Sequence, residues 1–119
     1  MKIKVADLYD LSLGLNDLAG KELPISTSLK VEQNQKNVSE ELVASDKVRQ
    51  KIIESHKTKD LVESIHDIDD EGQKKIDELM KQDVELNLKT IDIKELGKIS
   101  IKPRTLTFLK TILKQENAE

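Results

Sequence analysis

The segment DIDDEGQKKIDE, residues 67–78, has the residue types and spacing of a calcium-binding loop. Such a loop needs oxygen ligands at positions 1, 3 and 5, a glycine turn at 6 and a carboxylate at 12. Those places hold Asp67, Asp69, Glu71, Gly72 and Glu78. Two residues oppose that chemistry. Lys74 stands at position 8, where an apolar residue pairs with a sister loop, and Lys75 stands at position 9, where the site needs oxygen. The chain also offers no sister loop. Asp69, Asp70 and Glu71 ahead of KKIDELMK equally suit a helix N-terminus, where acidic side chains favour the macrodipole and cap free N–H groups. A capped helix start is the simpler expectation, and no metal ligands are assigned.

The other reactive side chains form no catalytic pattern. His56 and His66 are ten residues apart and have no carboxylate at a zinc-like spacing. Asp67 follows His66, but a catalytic pair also needs a nucleophile and a pocket. Surface histidines are expected. None of the serines sits in a G-x-S-x-G turn, and the four glycines are scattered, with no phosphate loop among them. Without cysteine there is no thiolate nucleophile, disulfide or Cys-type zinc site. These residues imply a protein that is not an enzyme and uses no cofactor.

A polar helix is the remaining candidate. In VEQNQKNVSEEL, residues 31–42, nine of the ten residues from Glu32 to Glu41 are polar, and neither Pro nor Gly interrupts them. Lys30, Asn34 and Asn37 fall at i, i+4 and i+7 beside a narrow apolar seam. Amides in that position can fix the register of a helix pair, as a buried Asn does in coiled coils. They can also line a cleft for a small anion or a partner's backbone, or lie on a solvated face. Lys30, Asn34 and Asn37, with Arg49 and Arg104, are therefore the candidate ligand- or partner-binding residues.

Composition limits what can position them. One domain, residues 1–119, is expected from the length. Hydrophobic and charged residues are 36% each, against about 45–50% and about 25% in typical domains. Tyr9 and Phe108 are the only aromatics, so the core must be aliphatic and thin. A thin core with a narrow seam leaves a long helix under-buried in a single chain, which implies a homo-oligomer. The net charge of -3 comes from closely interspersed acids and bases. That is not a nucleic-acid footprint, which needs clustered Lys/Arg and stacking aromatics. No apolar run approaches the length of a membrane span, and no secretory h-region opens the chain. Neither nucleic acid nor a membrane is an expected partner, and a soluble, intracellular protein is implied.

The periodicity then gives the elements. KIKV, residues 2–5, can form a short strand. Leu8, Leu11, Leu15 and Leu18 mark one helical face, with Asp7 as N-cap, Gly20 as a left-handed C-cap and Pro24 preventing continuation. Gly14 inside that helix is either tolerated or packed closely by a neighbour. A second helix of about 30 residues is expected from residue 26 to 57, capped by Ser26, Thr27 or Ser28. Its first half reads as a seam, and its second half, LVASDKVRQKII, as an ordinary core face. Leu61, Val62, Ile65 and Ile68 suggest another helix over residues 58–70, and QKKIDELMKQ a further one. Val84, Leu86 and Leu88 alternate as a half-buried strand. Ile99 and Ile101 suggest a second strand, and Pro103 starts a last helix carrying Leu106, Leu109 and Leu113. The fold class is α+β, predominantly helical, with a long helical hairpin and a small antiparallel sheet of two or three strands.

One stretch also carries a family likeness. GKELPISTSLKVEQNQKNV joins a Leu-Pro after the first helix to a long polar helix with a Lys and an Asn one turn apart. EGQKKIDELMKQDVELNLKTI follows, and ELGKISIKP leads into a final short helix. This order resembles a family of small proteins of unassigned function encoded by phages and prophages of low-GC Gram-positive bacteria. Family members tend to be more basic just before the Asn, where this chain has Glu32 and Gln33. The resemblance implies a phage accessory protein acting in the host bacterial cytoplasm. The resemblance supplies that setting and no chemistry; the leading reading is a protein that binds a host protein or a small anionic ligand, with counter-defence as one setting. The alternative it leaves open is a tail or head accessory factor of the phage particle.

Overall fold

The leucine spacing of the first helix dictates the centre of the molecule. In the computed structural model, which describes residues 1–56, 68–96 and 99–114, strand β1 (Lys2–Lys4) runs directly into helix α1 (Val5–Ala19). Leu8, Leu11, Leu15 and Leu18 are all fully buried, each stabilising the fold by roughly 1.5–3 kcal/mol. Helix α2 (Ile25–His56) returns antiparallel along α1. Gln35 meets Asn16 near the turn, and Tyr9 meets Asp46 further from it.

The ends of α1 differ from expectation. Lys4, not Asp7, is the N-cap and makes no side-chain cap bond. The N–H of Val5 is instead satisfied by the carbonyl of Gln82 at 2.9 Å. Gly20 stays right-handed at φ -84°, because the helix closes by tightening, with Gly20 and Lys21 donating to Asp17 and Leu18. Helix α2 begins one residue before its expected caps, and the Thr27 hydroxyl bonds elsewhere.

Burial along α2 reverses the expected order. Its first half is the buried half, with Thr27, Val31, Asn34 and Val38 at most 1% exposed. In the second half Leu42 and Ile52 are half-buried and Val48 is 44% exposed. The first half lies under α1 and the chain around Leu88, Ile91 and Leu96. The second half extends past that core to meet helix α3 (Asp70–Met80). Of the helix expected over residues 58–70, residues 58–67 lie outside the described residues.

Among the described residues, two small sheets complete the fold. Strand β2 (Asp83–Glu85) pairs antiparallel with β1, placing Ile3 opposite Val84. The Met1 ammonium closes this edge on the Glu85 carboxylate and the Leu86 carbonyl. The second expected strand does not form at Ile99–Ile101. Instead β3 (Ile91–Asp92) pairs parallel with β4 (Leu113–Lys114). A 3-10 turn (Ile93–Leu96) and helix α4 (Pro103–Phe108) lie between them. Pro103 starts α4 as expected, but the helix ends at Phe108 because Leu113 joins β3. The architecture is the expected mainly helical α+β one, with a helical hairpin and a small antiparallel sheet. No helix among the described residues is long and apolar enough to cross a membrane.

Candidate functional site

Side-chain chemistry is densest on the inner face of α2, where Thr27, Lys30, Asn34 and Asn37 meet the extended chain after β2. Asn34 is fully buried. Its Nδ2 donates to the Lys89 carbonyl at 2.9 Å, and its Oδ1 accepts from the Lys89 N–H at 2.8 Å. One residue pair back, Asn37 Nδ2 donates to the Asn87 carbonyl at 2.9 Å. Residues 87 and 89 of an extended chain turn their backbone groups toward the same neighbour. Two amides on a helix thus supply the bonds that a neighbouring strand would have made. Leu86 and Leu88 meanwhile point into the fold and Asn87 and Lys89 out of it.

Glu95 anchors the far end of this segment. Lys30 Nζ contacts both its oxygens, at 2.9 and 3.1 Å, while the Thr27 hydroxyl donates at 3.1 Å and the Asp92 N–H at 3.3 Å. The Lys30 ammonium is the main cause that holds the Glu95 carboxyl below its ordinary 4.5, with the Asp92 and Thr27 donors helping and desolvation opposing. A carboxyl with a depressed folded pKa stabilises the fold above its unfolded value, and that contribution is lost as pH falls through the folded value. The melting temperature should therefore fall on acidification below about pH 4.5. Glu95→Gln should cost stability at neutral pH, and its gap from the parent should be smaller at a pH well below 4.5. Equal gaps at both pH values would dismiss the ion pair as the cause.

Lys30, Asn34 and Asn37 are thus brought together, and each already has a partner within the chain. An anion would have to displace Glu95 from Lys30. The register that these amides fix is that of the extended segment. Arg49 is elsewhere, twelve residues beyond Asn37 along α2, or about 18 Å at the helical rise. It lies beside Tyr9, whose hydroxyl donates to Asp46 Oδ1 at 2.7 Å. Burial, then the Asp46 acceptor, pushes the Tyr9 hydroxyl above its ordinary 10, and Arg49 opposes them. Among the described residues, the Arg49 Nε is buried without a hydrogen-bond partner.

The acidic segment is a helix start. Asp69 is the N-cap of α3, its Oδ1 accepting the Gly72 N–H at 2.7 Å. That N–H is the main cause that lowers the Asp69 carboxyl, and His56 adds to it. His56 is not the surface histidine expected: its side chain is only 12% exposed, and Nδ1 lies 3.0 Å from Asp69 Oδ1. Gly72 lets the two helices close, since a Cβ there would sit 2.6 Å from the His56 Cβ. Asp67 and His66 lie outside the described residues. Among the described residues, no three His, Asp or Glu side chains could hold a metal ion.

Arg104 occupies a different surface. Thr105, buried in α4, donates to Asp17 Oδ2 at 2.7 Å and ties α4 to α1. Between these helices runs a groove of about 300 Å³ lined by Leu13, Asp17, Lys102, Arg104, Thr105 and Phe108. Leu13 is 55% exposed. Lys102 and Arg104 are exposed, and among the described residues neither has an ion-pair partner. Leu13 was not among the sequence candidates. Its signal is that it falls out of phase with the buried stripe of its own helix.

No family model, curated protein or solved structure matches this chain.

Proposed function

We propose that the chain is a non-enzymatic phage accessory protein that works in the host cytoplasm by binding a host protein, and that the α1–α4 groove receives an acidic, partly apolar segment of that partner. One observation carries the choice of surface. Two cations with no ion-pair partner among the described residues flank exposed Leu13 and half-buried Phe108, whereas Lys30, Asn34 and Asn37 are engaged inside the chain. An apolar anchor with a charged rim suits protein recognition. Asp17 also faces the groove, but Thr105 holds one of its oxygens. The phage setting rests on the sequence resemblance.

The test is capture from host lysate by the parent and by Lys102→Glu/Arg104→Glu. Charge reversal at a binding rim should weaken capture about tenfold or more and reduce its salt dependence. Both sites are exposed, so the melting temperature should hold. Undiminished capture by the variant would discard the groove. A second reading, a head or tail accessory factor, is favoured by the molecule's elongation. Its extents are 55 × 27 × 22 Å and its radius of gyration 17.4 Å, against about 14 Å for a compact domain of this length. Finding the chain in purified virions by proteomics would support that reading over the first.

A further inference from the structure

Helix α2 carries two stripes with the same spacing on opposite sides. The inner one is Thr27, Val31, Asn34 and Val38, all buried. The outer one, two residues out of step, is Ile25, Leu29, Glu32 and Lys36, and seven residues later Val43. Spacings of four and three residues in alternation make a coiled-coil seam. Here the seam faces away from the core: Ile25 is 88% exposed, Leu29 58% and Val43 56%, with Glu32 and Lys36 exposed between them.

We propose that this outer stripe pairs with the same stripe of a second copy, the two α2 helices running antiparallel about a two-fold axis on the outer face midway between Glu32 and Lys36. Charge selects that arrangement. A parallel pair in register sets Lys36 on Lys36 and Glu32 on Glu32. The antiparallel pair sets Glu32 of each copy opposite Lys36 of the other, twice by symmetry. The same axis sets Ile25 opposite Val43 at both ends. Those two residues are eighteen apart, which is five helical turns, so they project from the same side of α2. Leu29 then covers the stems around Ser39 and Glu40. Apolar ends and a complementary charged centre are what a self-complementary helix contact needs. The pairing leaves the α1–α4 groove open and does not depend on it.

Cysteine cross-linking tests the register directly, because the chain has no cysteine of its own. Ile25 and Val43 are exposed in the single chain, so Ile25→Cys and Val43→Cys should leave its helical content, read by circular dichroism, unchanged. A chain carrying both should form a covalent dimer under mild oxidation, since the paired Cβ atoms come within disulfide reach. The two cysteines of one chain, about 27 Å apart along the helix, cannot meet. Each single variant should stay uncross-linked alone, and mixing the two should yield the cross-linked pair. The parent should weigh twice 13.5 kDa by light scattering. Lys36→Glu should weaken the dimer about tenfold, and adding Glu32→Lys to the same chain should restore it. The proposal is overturned if the parent weighs 13.5 kDa at high micromolar concentration, or if single variants cross-link as well as the double one. Failure of Glu32→Lys to rescue Lys36→Glu also overturns it.

Discussion

Asn34→Ala should destabilise the protein by about 3 kcal/mol, lowering the melting temperature by roughly 10 °C or more in a chain of this size. The substitution takes both partners from Lys89 at once. Its N–H loses the Asn34 oxygen and its carbonyl loses the Asn34 amide. Each backbone group left unsatisfied beneath a covering helix costs about 1–3 kcal/mol. The Ala gains only a few tenths of a kcal/mol in helix propensity. Asn37→Ala removes a single, exposed bond to the Asn87 carbonyl and should cost about 1 kcal/mol or less. Asn34→Asp separates shape from bonding. It keeps the acceptor for the Lys89 N–H but sets a carboxylate oxygen against the Lys89 carbonyl, so it should also be strongly destabilising. Thermal and denaturant melts of the three variants check this. If Asn34→Ala melts with the parent, the amide clasp does not hold the segment.

That expectation shows what the sequence conceals. Lys30, Asn34 and Asn37 are legible as residues of one helical face, because their spacing alone places them there. Their role is not legible, since what they hold is backbone, and the backbone of residues 87–89 carries no residue-type signal. For the same reason the buried first half of α2 reads as only a narrow seam, and the less buried second half as the core face. Thr27 and Asn34 fill interior positions, yet any hydrophobicity pattern counts them as surface. The alternation from Val84 to Leu88 correctly gives inward and outward residues. It cannot say that the partners are β1 at one end and two side-chain amides at the other.

Helix ends show the same limit. The α1 stripe fixes that helix because four leucines at helical spacing admit one buried face. The last helix reads too long because Leu109 and Leu113 keep that spacing through a turn and into β4, where pairing with Ile91 decides the backbone. The proposed groove joins Leu13 to Arg104 and Phe108. Those residues are about ninety positions apart, and only packing of α4 on α1 brings them together.

That packing depends on Gly14, and Gly14→Val should destabilise the protein by about 3 kcal/mol. Gly14 is buried on α1, and a Cβ there would lie 2.8 Å from both Cγ and Cδ2 of Leu109 and 3.0 Å from the Phe108 Cβ. Leu109 is itself fully buried, so it has little room to retreat. Two opposed effects meet in Gly14→Ala. Helix propensity gains about 1 kcal/mol, while overpacking costs typically 1–3 kcal/mol, leaving a net loss of about 1. Valine forgoes most of the propensity gain and adds two methyl groups at the same contact, so overpacking decides the result. A double-mutant cycle identifies the contact. Leu109→Ala alone should cost about 2–5 kcal/mol by opening a cavity. It also vacates the atoms that the new Cβ would strike. Gly14→Ala in the Leu109→Ala background should therefore be neutral or stabilising, a coupling of about 1 kcal/mol or more. Denaturant unfolding of the four chains gives that coupling. Additivity within about 0.5 kcal/mol would show that Gly14 is not where α4 seats on α1.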